Sequence, residues 1–401
     1  MREKLVVLWD ESQLWGLLFV HALREMEIRF RLVSAAQIRD GLLQEKNPQL
    51  LLVPGGWARL KAKALGAEGK KNIQDWVENG GTYFGVCGGA GLGLNSKSGG
   101  FLDLCCWQRK TGSGRLPNFS GYVLSKIHTS SQILPLPVWW PSQFAPQDGT
   151  DVEVIASYQE PGPDFWVSDL YLPPKQSWED LQAWEKCYGI KLDPALLQDE
   201  PCIIRGRFGN GTYILSYPHL ETPDANAANL LLGSLLRQAG IEVPDPARVR
   251  SWQPDANLPA ENGRLLNELF EGVTECILLG QRNFLLFWRS QWLLGWRRGI
   301  PGSLLSTLFT MTCQALRSSP DLEQELREPV QELVSGWQQY LLQERLALSK
   351  APSSPEASAN VVLQEQKLRL FGSFPGYGGL YGQVLHGLDR LIFEDFQPPQ
   401  Q

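Results

Sequence analysis

The sequence predicts a doubly wound α/β domain with a mainly parallel sheet, followed by an all-α domain. Three observations carry this expectation. Short, continuously apolar runs alternate with amphipathic stretches between Leu5 and Ala90, the signature of strands joined by crossover helices. Two later apolar runs are joined by Gly209-Asn210-Gly211, a hairpin signal. From residue 263 to 350 the pattern is helical, with few β-branched runs.

Residues 5–9 form a buried strand, stopped by Asp10-Glu11-Ser12. Leu14, Leu17, Leu18, His21 and Ala22 then recur at helical spacing. Residues 28–33 alternate apolar with charged, a second strand, and a short helical stretch follows around residues 38–43. Residues 50–53 are a third strand, ended by Pro54-Gly55-Gly56. Ile73, Trp76 and Val77 share a helix face that Asn79-Gly80-Gly81 terminates, and residues 82–86 make a fourth strand. Further strands are expected at 122–127, 152–156, 203–208 and 212–216. Residues 159–200, with Trp166, Trp178 and Trp184, read as an insertion folding over the sheet. A helix over about 223–238 closes the unit, with Thr222 as N-cap and Pro223 at its first position.

The domain boundaries expected from this pattern are an α/β domain over 1–243, a polar linker over 244–262, a helical domain over 263–350 and a C-terminal part over 351–401. The helical domain is broken at 299–302 and at 318–320. The C-terminal part comprises a Ser/Pro/Ala linker at 351–359, a glycine-rich turn at 372–382 and a last helix over about 383–393.

A chain of 401 residues with 43% hydrophobic and 20% charged residues is long enough for two or three packed domains and is not disordered. Its 37 basic and 43 acidic residues form no long run of either sign, which argues against a nucleic-acid partner. Seven scattered cysteines, with an N-terminal apolar run too short for a signal peptide, point to free thiols in a reducing cytoplasm. The longest apolar segment, residues 276–296, is interrupted by Gln281, Arg282, Asn283, Arg289 and Gln291, too polar to cross a bilayer. Within it Phe284, Leu285, Phe287, Trp288, Trp292, Leu293 and Trp296 are too dense for one stripe. They read as helix buried in a bundle, with a membrane-surface or partner-binding role as the alternative.

Chemistry concentrates at three places. Gly85-Val86-Cys87-Gly88-Gly89 follows a strand and opens a helical segment expected near Ala90, so Cys87 stands at a strand-to-helix elbow, where free amides favour thiolate. Of four histidines, His21 reads as a core or boundary residue and His128 and His386 as surface groups. His219 follows a strand at the end of the sheet where parallel folds collect ligands. In an extended segment Glu221 points the same way as His219, a base with its own orienting carboxylate. The Gly88 amide and that of Gly55 or Gly56 would form an oxyanion hole.

Pro54-Gly55-Gly56, Gly85-Val86-Cys87-Gly88-Gly89 and His219-Leu220-Glu221, in this order and spacing, resemble the class I glutamine amidotransferase-like superfamily. The stretch from Gly80 to Ala90, with Gly80-Gly81-Thr82-Tyr83 in matching places, is most similar to the N-terminal domain of eukaryotic-type biotin–protein ligases. The resemblance covers about residues 3–240 and implies a flavodoxin-like sheet, Cys87 as nucleophile, His219 as base and Glu221 as orienter. Three features depart from the pattern. Gly91 stands where glutaminase members carry a Gln that holds substrate glutamine, Leu220 replaces a common proline, and Arg205-Gly206-Arg207 faintly resembles a biotin-ligase loop but lies in a hairpin with no ligase domain around it.

The leading expectation is a cysteine-dependent amidase or amidotransferase-like protein acting on a small amide or acyl substrate, with no cofactor and no metal. Its helical domain would shape the site or recruit a protein acceptor. The alternative is a non-catalytic ligand-binding or regulatory module on the same scaffold.

Overall fold

The computed structural model of the chain describes residues 4–96, 99–111, 118–172, 181–245, 249–259, 263–297, 299–317, 321–350, 361–373 and 378–397. Trp178, the break at 318–320, the linker at 351–359 and the middle of the glycine-rich turn lie outside them. The chain divides into two compact units, one of Met1–Glu185 with Ile190–Ser251, the other of Lys186–Gly189 with Trp252–Gln401.

In the first unit β1 (Leu5–Leu8), α1 (Gln13–Glu25), β2 (Arg31–Val33), α2 (Ala35–Arg39), α3 (Leu42–Lys46), β3 (Leu50–Val53), α4 (Ala58–Glu78) and β4 (Thr82–Val86) follow the expected alternation. Every residue of β1 and β3 is buried, as a strand covered on both faces requires. Then come α5 (Gly88–Gly93), β5 (Leu94–Asn95), β6 (Cys105–Arg109), β7 (Phe119–Ile127), β8 (Ile133–Trp139), β9 (Phe144–Ala145), β10 (Glu153–Pro161), β11 (Trp166–Val167) and β12 (Leu170–Tyr171). The short helix α6 (Leu181–Tyr188), whose last three residues are grouped with the second unit, precedes β13 (Pro201–Phe208), β14 (Gly211–Ser216) and α7 (Asn226–Gln238).

Five strands run parallel in the spatial order β2-β1-β3-β4-β14, the 2-1-3-4-5 order of flavodoxin-like sheets. Because the order reverses at β1, right-handed crossovers place helices on both faces. Registers Val53↔Gly85 and Ser216↔Val86 level the carboxyl ends of β3, β4 and β14. Beyond β14 the sheet continues antiparallel through β13, β10, β7, β11 and β12, with β8 paired to β7. The whole is a mixed α/β fold with a mostly parallel central sheet and a helical C-terminal region.

Two local expectations are corrected. α7 begins at Asn226 after an Ala225 cap, not at Pro223; the Thr222 hydroxyl accepts from Trp139 Nε1 at 3.2 Å rather than from helix amides, and donates to His219 O at 2.8 Å. The helix after Cys87 begins at Gly88 rather than near Ala90 and is only six residues long.

In the second unit the helices are α8 (Arg264–Arg282), α9 (Gly302–Ala315), α10 (Arg327–Lys350), α11 (Val361–Phe371) and α12 (Gly379–Asp395). Trp337, Phe371 and Tyr381 meet edge-on in its core. The expectation of an all-helical pattern fails at the aromatic segment, which is a hairpin of β15 (Leu286–Ser290) and β16 (Leu293–Trp296). The helix stops because Phe284 adopts φ 57 and its amide closes onto Gln281 O while that of Leu285 closes onto Gly280 O, a left-handed helix cap. Phe287 then covers its cross-strand partner Gly295, where an added Cβ would lie 2.3 Å from the ring. No helix among the described residues is long and apolar enough to cross a membrane.

Candidate functional site

The three predicted pieces meet at the carboxyl end of the parallel strands. Cys87 joins β4 to α5 with φ 50 and ψ −104, a conformation L-residues rarely adopt, and its amide donates to Ser216 O at 2.7 Å. The elbow is pressed against the end of β3. A Cβ on Gly88 would stand 1.9 Å from Gly56 O, and one on Gly89 2.0 Å from Val53 O, so only glycine lets these turns approach. This brings the Gly88 and Gly56 backbones side by side, and the Gly88 amide, first in its helix, has no partner within it. Gly56 itself takes φ 107.

Ser216 leads into a loop that carries His219 and Glu221, both 0% exposed. His219 Nδ1 pairs with Glu221 Oε1 at 2.7 Å. Its ring lies 4.6 Å from that of Trp15 on α1, tilted by 42°. Gly55 fills the gap between them, since a Cβ there would be 2.9 Å from both His219 Cε1 and Trp15 Cγ. The remaining nitrogen, Nε2, makes no hydrogen bond of ordinary geometry, and the Cys87 thiol lies beside the imidazole. Burial is the largest influence on this ring and opposes its charge. The carboxylate of Glu221, its hydrogen bond and the neighbouring Cys87 sulfur together outweigh it and push the His219 pKa up to about 10.

Contacts that sequence reasoning missed hold this loop in place. The Asn229 amide on α7 donates to Leu220 O at 2.8 Å and Thr222 O at 3.0 Å, the carbonyls on either side of Glu221. His219 N donates to Pro137 O at 2.8 Å, and Trp139 Nε1 to the Thr222 hydroxyl at 3.2 Å, both from β8. On the other side the fully buried Lys61 donates to Asp10 O at 3.0 Å and to Ser12 Oγ at 2.6 Å, fixing the loop after β1. A signal existed for two of these: Asn229 and Lys61 are polar residues on otherwise apolar helix faces, beside Leu232 and Leu65 respectively. The partners of Trp139 and Pro137 had no signal, because nothing local links β8 to the His219 loop.

The other histidines stand apart. His21 meets Arg250 O at 2.8 Å, His128 meets Ser157 Oγ at 3.0 Å, and His386 is exposed. Arg205, of the Arg-Gly-Arg stretch, is tied to Glu153 Oε2 through two nitrogens and to Gln238. It borders a cavity of about 400 Å³, with Thr82, Arg207 and Thr212, at the amino ends of β4 and β14, opposite Cys87. Among the described residues no three His, Cys, Asp or Glu side chains cluster as a metal site would require.

Fold and site together define an α/β protein with a cysteine elbow at the carboxyl end of a flavodoxin-order sheet. Residues 27–97 match the family model described as biotin-protein ligase, N terminal. That match contains Gly55, Gly56, Cys87 and Gly88 but ends well before His219 and Glu221. No curated protein matches the chain. Among solved structures, PurLQS from Thermotoga maritima is 14% identical, with 55% of this chain and 89% of that chain covered and a TM-score of 0.37. A protein described as a GMP synthase component from Thermoplasma acidophilum is 10% identical over 55% of this chain and 86% of that chain, with a TM-score of 0.34. A beta-galactosidase from Bacillus circulans sp. alkalophilus is 13% identical over 60% of this chain but only 32% of that chain, with a TM-score of 0.35.

Proposed function

We propose that this chain is a cysteine-dependent amidase or amidotransferase-like protein that works on a small amide or acyl substrate in the cytoplasm. The observation that carries the reading is the buried His219–Glu221 pair, 2.7 Å apart, delivered from β14 to the side of Cys87. Cys87 Sγ attacks the substrate carbonyl and forms an S–C bond. The amides of Gly88 and of Gly55 or Gly56 receive the developing oxyanion. His219 passes the thiol proton to the leaving amine as the C–N bond breaks, and Glu221 holds the imidazole and offsets its charge. Water or an acceptor then takes the acyl group. The acceptor is read as a partner recruited by the helical C-terminal part, with no nucleic acid, membrane, metal or cofactor in the reaction.

A second reading, a ligand-binding or regulatory module, is favoured by Gly91 in place of a substrate-holding Gln and by the complete burial of His219 and Glu221. A panel of p-nitrophenyl esters and anilides decides between them. Turnover, with an acyl adduct at Cys87 in intact-mass spectra and both lost in Cys87→Ala and His219→Gln, is the expected result. Ligand binding without turnover or adduct leaves the module.

A further inference from the structure

One buried polar atom at this end of the sheet is not used by the mechanism. Tyr158, on β10, is 1% exposed, and its hydroxyl has no hydrogen-bond partner among the described residues. A buried orphan of this kind costs stability and calls for an explanation. Its backbone places it in a row that leads to the nucleophile. Tyr158 N donates to Glu200 O at 2.9 Å, Tyr217 N to Cys202 O at 2.9 Å, and Cys87 N to Ser216 O at 2.7 Å, which steps across β10, β13, β14 and β4. Burial above all, and then the neighbouring Cys202, Tyr217 and Cys87, keep the proton on the phenol. A protonated hydroxyl without an acceptor, in the row that ends at Cys87, is a donor waiting for an oxygen.

We propose that the Tyr158 hydroxyl contacts substrate, donating a hydrogen bond to a second oxygen of the acyl group carried on Cys87. The site therefore selects oxygen-bearing acyl groups over their hydrocarbon equivalents. This rests on the reading of Cys87 as nucleophile.

The test uses the full chain and its Tyr158→Phe variant with two matched pairs of probes. p-Nitrophenyl methoxyacetate is compared with the butyrate, and the 3-methoxypropionate with the valerate. In each case Sγ–C forms as the ester C–O breaks, and p-nitrophenol leaves with the thiol proton. Removing one neutral hydrogen bond to substrate should lower the methoxy-to-alkyl rate ratio about tenfold in at least one pair, with the alkyl esters unaffected. Because the hydroxyl has no protein partner, the urea midpoint of the first unit should stay the same or rise, which a structural role would not allow. Unchanged ratios in both pairs overturn the inference while leaving the nucleophile in place, and so does a lowered midpoint. A wild type whose Cys87 is acylated by none of the four esters refutes the nucleophile reading, and this inference with it.

Discussion

Replacing Glu221 by Gln keeps the shape of the buried pair and removes its negative charge. His219 and Glu221 are both 0% exposed and 2.7 Å apart, so the variant leaves the imidazole facing burial with only the Cys87 sulfur beside it. Removing one member of a buried ion pair costs about 3–5 kcal/mol, a fifth or more of the roughly 5–15 kcal/mol that holds a domain folded. With a urea slope of about 3 kcal/mol/M for a unit of this size, the midpoint should fall by about 1–1.7 M. The sign of the pH dependence follows from the raised pKa. A group whose folded value is lifted from 6.5 to about 10 contributes fully below 6.5 and loses that contribution as pH climbs through 10. The gap between wild type and Glu221→Gln should therefore be largest near pH 6 and narrow by pH 9. Cys202 is a reporter confined to the first unit: it is 0% exposed and burial drives its pKa upward, so maleimide reaches it only on unfolding. Its labelling against urea, read by peptide mass spectrometry, gives the midpoint at both pH values. A shift under about 0.3 M at pH 6, or an equal gap at pH 6 and pH 9, would refute the argument.

Two further outcomes follow from backbone geometry. Gly88→Ala drives a Cβ to 1.9 Å from Gly56 O and should cost more than about 3 kcal/mol by the Cys202 assay. Gly91→Ala meets only Ala58 Cβ at 3.5 Å and should gain about 0.5–1 kcal/mol; equal effects would sink the close-approach argument. In the second unit Phe284 is 77% exposed at φ 57 where helices prefer glycine, so Phe284→Gly should stabilise it by about 0.5–1 kcal/mol. Maleimide labelling of the buried Cys313 against urea checks this, and a lower midpoint would contradict it.

Buried strands were easy to read because continuous apolar runs such as Leu50-Leu51-Leu52-Val53 have no other stable place than a sheet covered on both faces. The same logic fails for Phe284 to Trp296, since a short aromatic-rich run suits a buried helix and a hairpin equally, and the left-handed turn at Phe284 carries no glycine to announce it. Thr222 looked like a cap because a cap hydroxyl accepts from the first free amides of a helix, but its oxygen accepts from Trp139 Nε1 and its hydrogen goes to His219 O. Tyr158 carried no local mark of the Cys87 site, because it gains its meaning from strands and loops distant in sequence.

The first strands and helices and the glycines at the elbow were written in local residue patterns, as was the grouping proposed for Cys87, His219 and Glu221, because turns and apolar runs act over a few neighbours. The levelling of β3, β4 and β14, the walls of Trp15 and Gly55 around the imidazole and the pull of Glu221 on its proton arise only when distant segments share one dry space. Water excluded from that space makes each charge and each unpaired hydroxyl count far more there than it would along an unfolded chain.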